Sequence, residues 1–373
     1  LSFEAGDVAG EFAHDTDNPD WFALGFELKV GEQTLPLLDA IAPLLDSDWS
    51  QLPDPVTIAL DDYRFVDIPA DRLRPVLDTL RALFEGSGRV PDEHIKLSRY
   101  DAMALNSFDE HGVTLRGGEL LQSLGRRLAD FNGIEAVAVP KEFHAELRDY
   151  QQLGLNWLQF LRAYDFNGVL ADDMGLGKTV QTLAHLLIEK QAGRLDRPAL
   201  LVAPTSLMGN GQREAARFAP DLRVIVLHGS DRFRHFAQIG KADLVLTTYA
   251  LVPRDANELL REHFHTVILD EAQMVKNPRS KSAQMVRQLH SDHRLCLTGT
   301  PMENHLGELW ALFDFLMPGF LGDENTFKRC YRTPIERHGD DDQRERLAQR
   351  VQPFMLRRTK HEVASELPPK TEI

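Results

Sequence analysis

The sequence predicts a small α+β domain of hairpin–helix units, followed by a doubly wound, mostly parallel α/β sheet. Three observations predict it. After residue 141, short apolar runs bounded by turns alternate with helical patterns, the texture of buried parallel strands. Before it, a strand–turn–strand–helix order occurs twice. The charge divides at the same place: residues 1–140 hold 11 Lys/Arg against 26 Asp/Glu, and residues 141–373 hold 31 of each. Domains are therefore expected at 1–140 and 141–373, since 373 residues exceed one ordinary domain.

The front units come first. "WFALGFELKVGEQTLPLLDAIAPLL" reads as a strand, a turn at Gly31-Glu32, a second strand and an apolar helix. "VTIALDDYRFVDIPADRLRPVLDTLRALF" repeats that order, turning at Asp61-Asp62, and its helix spaces Leu73, Val76, Leu77, Leu80, Leu83 and Phe84 on one face. A third strand and helices follow to about Gly133. No catalytic constellation stands here, and the scattered carboxylates read as a solvated face. An accessory domain that docks a protein partner is the expectation.

Six runs mark the strands of the second domain: "NGVLAD", "PALLVAP", "LRVIVLHG", "ADLVLTTY", "HTVILDEA" and "HRLCLTGTP". Each ends in a polar cluster, and in such sheets ligands gather at the carboxyl ends of the strands. Composition sets the class: 43% apolar and 27% charged residues suit sizeable cores. No apolar run approaches the roughly 18 residues a bilayer span needs, so no membrane partner is expected. The start lacks a basic region and an apolar core, so it does not read as a signal peptide. It also lacks Met, which fits a piece of a longer protein. Two cysteines, Cys296 and Cys330, make no disulfide framework, and an intracellular, cytoplasmic place is expected. The net charge of −15 does not exclude nucleic acid, because the excess acidity all lies in the front.

Chemistry concentrates in "ADDMGLGKTVQTLAHLL". The general phosphate loop is G-x-x-x-x-G-K-[ST], yet Asp172 stands where the first glycine belongs. Asp173, Met174, Gly175, Leu176 and Gly177 would turn backbone N–H groups to phosphate oxygens at a helix N-terminus. Lys178 would reach the β/γ-phosphates and Thr179 would bind Mg²⁺. Taken alone, the loop leaves a plain turn-to-helix junction open. The acidic pair Asp270-Glu271, ending an apolar strand about ninety residues on, favours a nucleoside triphosphatase. Asp270 would hold Mg²⁺, mostly through water, and Glu271 would orient the attacking water.

Asp-Glu-Ala-Gln with Asp-Asp-Met-Gly-Leu-Gly-Lys-Thr before it resembles helicase superfamily two. More closely it is similar to the sucrose-non-fermenting family of chromatin-remodelling ATPases, whose phosphate loop normally begins with an acidic residue. The resemblance runs from about Leu147 to the end and implies a RecA-like first motor lobe. "LRDYQQLGLNWL" resembles the Q motif, with Asp149 in place of the usual proline, and implies that Gln151 reads adenine. "LLVAPTSLMGN" and "LVLTTYALV" resemble motifs Ia and Ib, implying a DNA-backbone track of Pro204, Thr205, Ser206, Thr247, Thr248 and Tyr249. "LCLTGTPMEN" resembles motif III, implying that Thr298, Gly299 and Thr300, with Gln273, couple nucleotide to DNA. "PFMLRRTKHEVASELPPKTE" resembles the end of the first lobe and covers Arg357 and Arg358. Gly211 stands where the family usually has an aromatic residue, which puts the packing of that helix start in question. The front resembles the accessory domain ahead of the motor in bacterial members.

The resemblance implies an ATP- and Mg²⁺-using, DNA-dependent ATPase that moves along double-stranded DNA, nucleoid-associated, with its second lobe absent from these residues. It gives no basis for strand separation. A nucleotide-gated docking module is the alternative. His263, His265, His290 and His293 lack cysteine partners, so surface or capping roles are expected rather than a metal. Arg329, Arg332, Arg337, Arg344, Arg346 and Arg350 read as a mixed-sign helical face.

Overall fold

A computed structural model describes residues 133–302 and 304–363. Of residues 1–132 it describes 2–4, 8–14, 21–30, 33–36, 53–59, 65–70, 95–102 and 114–129, with the single positions 38, 73, 74 and 77. The chain divides into two compact units, Leu1–Asn132 and Gly133–Ile373. Among the described residues no helix is long and apolar enough to cross a membrane.

In the first unit, strands β1 (Ser2–Glu4) and β2 (Val8–His14) precede β3 (Trp21–Val30) and β4 (Gln33–Pro36). Next come β5 (Val56–Ala59), β6 (Phe65–Ile68), β7 (Ile95–Ser98), β8 (Thr114–Arg116) and helix α1 (Glu119–Ala129). Both expected hairpins form: β3 pairs antiparallel with β4, and β5 with β6. They do not stack as equivalent repeats. The first belongs to a sheet of β4, β3, β2 and β8 with β7 also on β3, and the second joins β1 in a separate three-stranded sheet. Leu73 and Leu77 are buried as their spacing predicts. The turns at Gly31-Glu32 and Asp61-Asp62, and Val76, Leu80, Leu83 and Phe84, lie outside the described residues.

The second unit opens with helix α2 (Asp149–Ala163) and strand β9 (Gly168–Leu170), then α3 (Lys178–Gln191) and β10 (Ala199–Ala203). Helix α4 (Met208–Phe218) leads to β11 (Val224–Val226), β12 (Leu244–Thr248) and β13 (His263–Asp270). Then follow α5 (Lys281–Gln288), β14 (His290–Leu297), α6 (Leu306–Leu316), α7 (Asp341–Val351) and β15 (Met355–Leu356). The strands form one seven-stranded sheet, ordered β11-β12-β10-β13-β14-β9-β15, with every pairing parallel. The six expected runs are its first six strands in chain order; the seventh, β15, is a two-residue strand that no apolar run marks.

Parallel strands need both faces covered, and here every residue of β10 and β12 is buried. Asp149, the residue replacing proline, sits in the first turn of α2, where a carboxylate favours the helix dipole. Helix α4 runs unbroken through Gly211, where an added Cβ would meet Leu246 Cδ1 at an ordinary 3.9 Å. The missing aromatic ring therefore leaves that helix start intact.

Candidate nucleotide site

Strands β9, β14 and β13 are neighbours, and their register places Leu170 beside Leu297 and Leu297 beside Asp270. Three polar segments therefore leave one sheet edge side by side: 171–177, Asp270-Glu271 and Thr298–Thr300. Gly175 and Gly177 hold φ of 85° and 83°, the left-handed turn that opens α3. A Cβ at Gly177 would stand 2.4 Å from Gln151 Nε2, so this glycine is also a close-approach site.

Gln151 makes that approach. Its Nε2 donates to the Leu176 carbonyl at 3.1 Å, and its Oε1 accepts from the Arg148 N–H at 3.0 Å. Both ends of the amide tie α2 to the loop, so a contact of Gln151 with adenine would replace these partners, as a phosphate would replace those of Lys178. Inside the loop, buried Lys178 donates Nζ to the Asp172 carbonyl at 2.7 Å and reaches the Asp173 carbonyl at 3.4 Å. Burial lowers its pKa, opposed by Glu271 and Asp270. Thr179 is half-buried beside it, and Met174 is exposed at the loop's crest.

The acidic residue that opens the loop is fully buried. Asp172 accepts from Arg358 Nε at 2.9 Å and from a terminal guanidinium nitrogen, while Gln181 Nε2 donates to the same carboxylate at 3.3 Å. The Arg358 guanidinium also donates to the Tyr150 carbonyl and to Gln181 Oε1 at 3.0 Å. A glycine would leave that largely desolvated guanidinium without its carboxylate partner. Asp172 is thus the peg on which β15 and the residues after it are hung.

Burial and the neighbouring Glu271 push the Asp270 carboxyl up to about 6. Glu271 takes φ 48°, rare outside glycine, and donates its N–H to Asp270 Oδ1 at 3.0 Å. From its side chain a chain of bonds crosses to the next strand. Gln273 Nε2 donates to Glu271 Oε2 at 2.7 Å, Thr298 Oγ1 donates to Gln273 Oε1 at 2.8 Å, and the Thr300 N–H donates to Thr298 Oγ1 at 3.0 Å. Gly299 lies against the loop itself, since a Cβ there would stand 3.1 Å from Met174 Cγ. The four residues expected to couple the site are therefore in contact with it.

The expected DNA track splits in two. Thr205 and Ser206 are exposed after β10, with Pro204 half-buried before them. Thr247, Thr248 and Tyr249 are 0%, 1% and 5% exposed, which corrects their expected place on an open track. Thr247 and Thr248 end the fully buried strand β12 and Tyr249 follows it, and Thr247 Oγ1 turns inward toward the Leu227 carbonyl, 3.4 Å away. Tyr249 Oη donates to the Asp270 carbonyl at 2.8 Å, and Ser282 Oγ donates to the Tyr249 carbonyl at 2.8 Å. Tyr249 thus ties the acidic strand end to the turn after β12. His263 is exposed on Asp292, as expected of a surface residue, but His265 is buried near Glu189 with His185 and His293 beside it.

The SNF2-related domain matches residues 150–373. The chain belongs to the SNF2-related family. Relatives include YwqA of Bacillus subtilis (strain 168), named as a candidate ATP-dependent helicase/translocase. It is 44% identical over 266 residues, covering 70% of this chain and 29% of that protein. ISW2 of Saccharomyces cerevisiae, an ISWI chromatin-remodeling complex ATPase, is 38% identical over 235 residues, covering 61% and 21%. The Sulfolobus solfataricus SWI2/SNF2 ATPase core, solved in complex with dsDNA, superposes with a TM-score of 0.59 at 39% identity, over 63% of this chain and 49% of that one. The chain thus spans about half of a solved core of this family and under a third of these two curated relatives. The shared core accounts for the RecA-like sheet, and ATP-dependent relatives on both sides support nucleotide use here.

Arg358, Gln181 and Ser282 escaped the sequence reading as site residues. Arg358 had a signal in its motif, but nothing local pointed to Asp172, 186 residues away.

Proposed function

We propose that this chain is the ATP-binding lobe of an ATP-dependent double-stranded DNA translocase. The row formed by Lys178, Asp270 and Glu271 at adjacent strand ends, wired to motif III through Gln273 and Thr298, carries the reading. Lys178 would give up its carbonyl partners for the β/γ-phosphates, while Gly175–Thr179 cradle them with backbone N–H groups. Thr179 and Asp270 offer the oxygen donors that suit Mg²⁺, and the raised Asp270 carboxyl fits a site short of positive charge. The ion would neutralise phosphate charge. Glu271 would orient water, and Gln273 would report its state to Thr298–Thr300. Thr205 and Ser206 would contact the DNA backbone without reading sequence.

Because the chain matches 49% of the solved core, the arginine finger of the family's second lobe is expected outside these 373 residues. Arg358 does not replace it, being committed to Asp172, and Arg357 lies in the stretch that resembles the end of the first lobe, not the finger motif. An arginine finger contributes about 10³- to 10⁵-fold in studied phosphoryl transfers, so this chain alone should bind ATP and scarcely hydrolyse it. Phosphate release measured on the chain alone, then with the rest of the core restored, tests this. Brisk hydrolysis by the chain alone would overturn the half-motor reading, and ATP binding without turnover in the restored protein would favour a docking module.

A further inference from the structure

The last described segment does more than close the sheet. Its backbone runs along the phosphate loop: the Ala171 N–H donates to the Leu356 carbonyl at 2.7 Å, and the Asp173 N–H to the Arg358 carbonyl at 3.0 Å. The Lys360 N–H then donates back to Asp173 Oδ2 at 3.0 Å. With Arg358 pinned to Asp172, residues 356–360 form one wall of the loop. Lys360 is the residue this wall brings beside Gly175. A side chain at Gly175 would begin 3.8 Å from both Lys360 Cε and Nζ. Lys360 is otherwise exposed, and among the described residues no carboxylate lies within salt-bridge distance of its ammonium.

We infer that Lys360 is a second phosphate-binding lysine, holding the polyphosphate of ATP from the open side of the loop while Lys178 holds it from within. The inference rests on the nucleotide reading above. The chemistry is simple: a polyphosphate seated on the Gly175–Gly177 backbone would bring three or four negative charges beside an unpaired ammonium whose backbone is already fixed. The alkyl stem runs beside Gly175, where an added Cβ would stand in ordinary van der Waals contact with it. Lys178, by contrast, is buried and bound to carbonyls, so it cannot cover the exposed side of the phosphates.

The test is titration of the 373-residue chain with mant-ATP, comparing wild type with Lys360→Ala, Lys360→Arg and Lys178→Ala. Lys360 is exposed, so its variants should keep the wild-type melting temperature. Lys360→Ala should weaken mant-ATP about tenfold, the scale of one charge-assisted contact. It should weaken mant-AMP far less, and Lys360→Arg should stay within about twofold of wild type, since it keeps the charge. If wild type binds and Lys360→Ala binds equally or more tightly, this inference fails alone. It also fails if Arg is as damaging as Ala. If wild type shows no binding, the nucleotide reading falls and this inference with it.

Discussion

Lys178 sits among backbone carbonyls and Glu271 on a left-handed turn, and the two should fail differently. Lys178→Ala should abolish detectable ATP binding by titration, because the loop loses the cation inside it. Glu271→Gln should keep binding and lower turnover of the full-length protein by about 10²- to 10⁴-fold, the usual scale of a general base. Equal loss of binding in both would contradict these roles. Asp270 adds a pH signature. Its folded pKa of about 6 stands above the ordinary 3.8, so its neutral form is the one the fold prefers. That contribution is complete below about pH 4 and is lost as pH rises through 6. Asp270→Asn should therefore stabilise the chain at pH 8, by up to about 3 kcal/mol, while destroying turnover, and the gain should vanish by pH 4. Thermal melts across that range would show it. Residue types at this site were legible because glycines, a lysine and adjacent carboxylates at strand ends have few other uses. Tyr249 was not. A motif gives the side chain but not its partner, and the Tyr249 hydroxyl is spent on the Asp270 carbonyl.

Strand β15 and α3 show what element-scale reading catches and misses. The six longer strands announce themselves as apolar runs between turns. Met355–Leu356 is two residues long, and its partner Val169–Leu170 lies far back in the sequence, so no local pattern marks it. The Asp172–Arg358 contact holds this strap to the loop, and both partners are largely desolvated. Arg358→Ala would strand a buried carboxylate and should cost about 3–5 kcal/mol. Asp172→Asn with Arg358→Met should cost less than the sum of the two single changes, measured by denaturant unfolding. In the middle of α3, burial lowers the pKa of His185 to about 4. Its neutral form is favoured in the fold, so its contribution is full above about pH 6.5 and is lost as pH falls through 4. His185→Gln should flatten that part of the stability profile. This opposes the trend of Asp270 over much of the same window, so the two are separable only in the variants. His265 and His293 stand out in the sequence, but their meeting with His185 does not, because the three lie on three separate elements.

Across the whole molecule, the division of charge and the strand–helix alternation were readable because both extend over many residues. The arrangement of the two front hairpins in separate sheets was not, since pairing partners such as β1 with β6 are set by long-range contacts. If Thr205 and Ser206 meet DNA only through its phosphates, affinity of the full-length protein should fall steeply with salt and vary little with sequence. A preference of orders of magnitude for one sequence would contradict that. The most direct measurement is steady-state ATP hydrolysis by the full-length protein, with and without double-stranded DNA, beside its Glu271→Gln variant. The account predicts hydrolysis that double-stranded DNA stimulates and that the variant loses while still binding ATP. Hydrolysis indifferent to DNA, or equal in the variant, would contradict it.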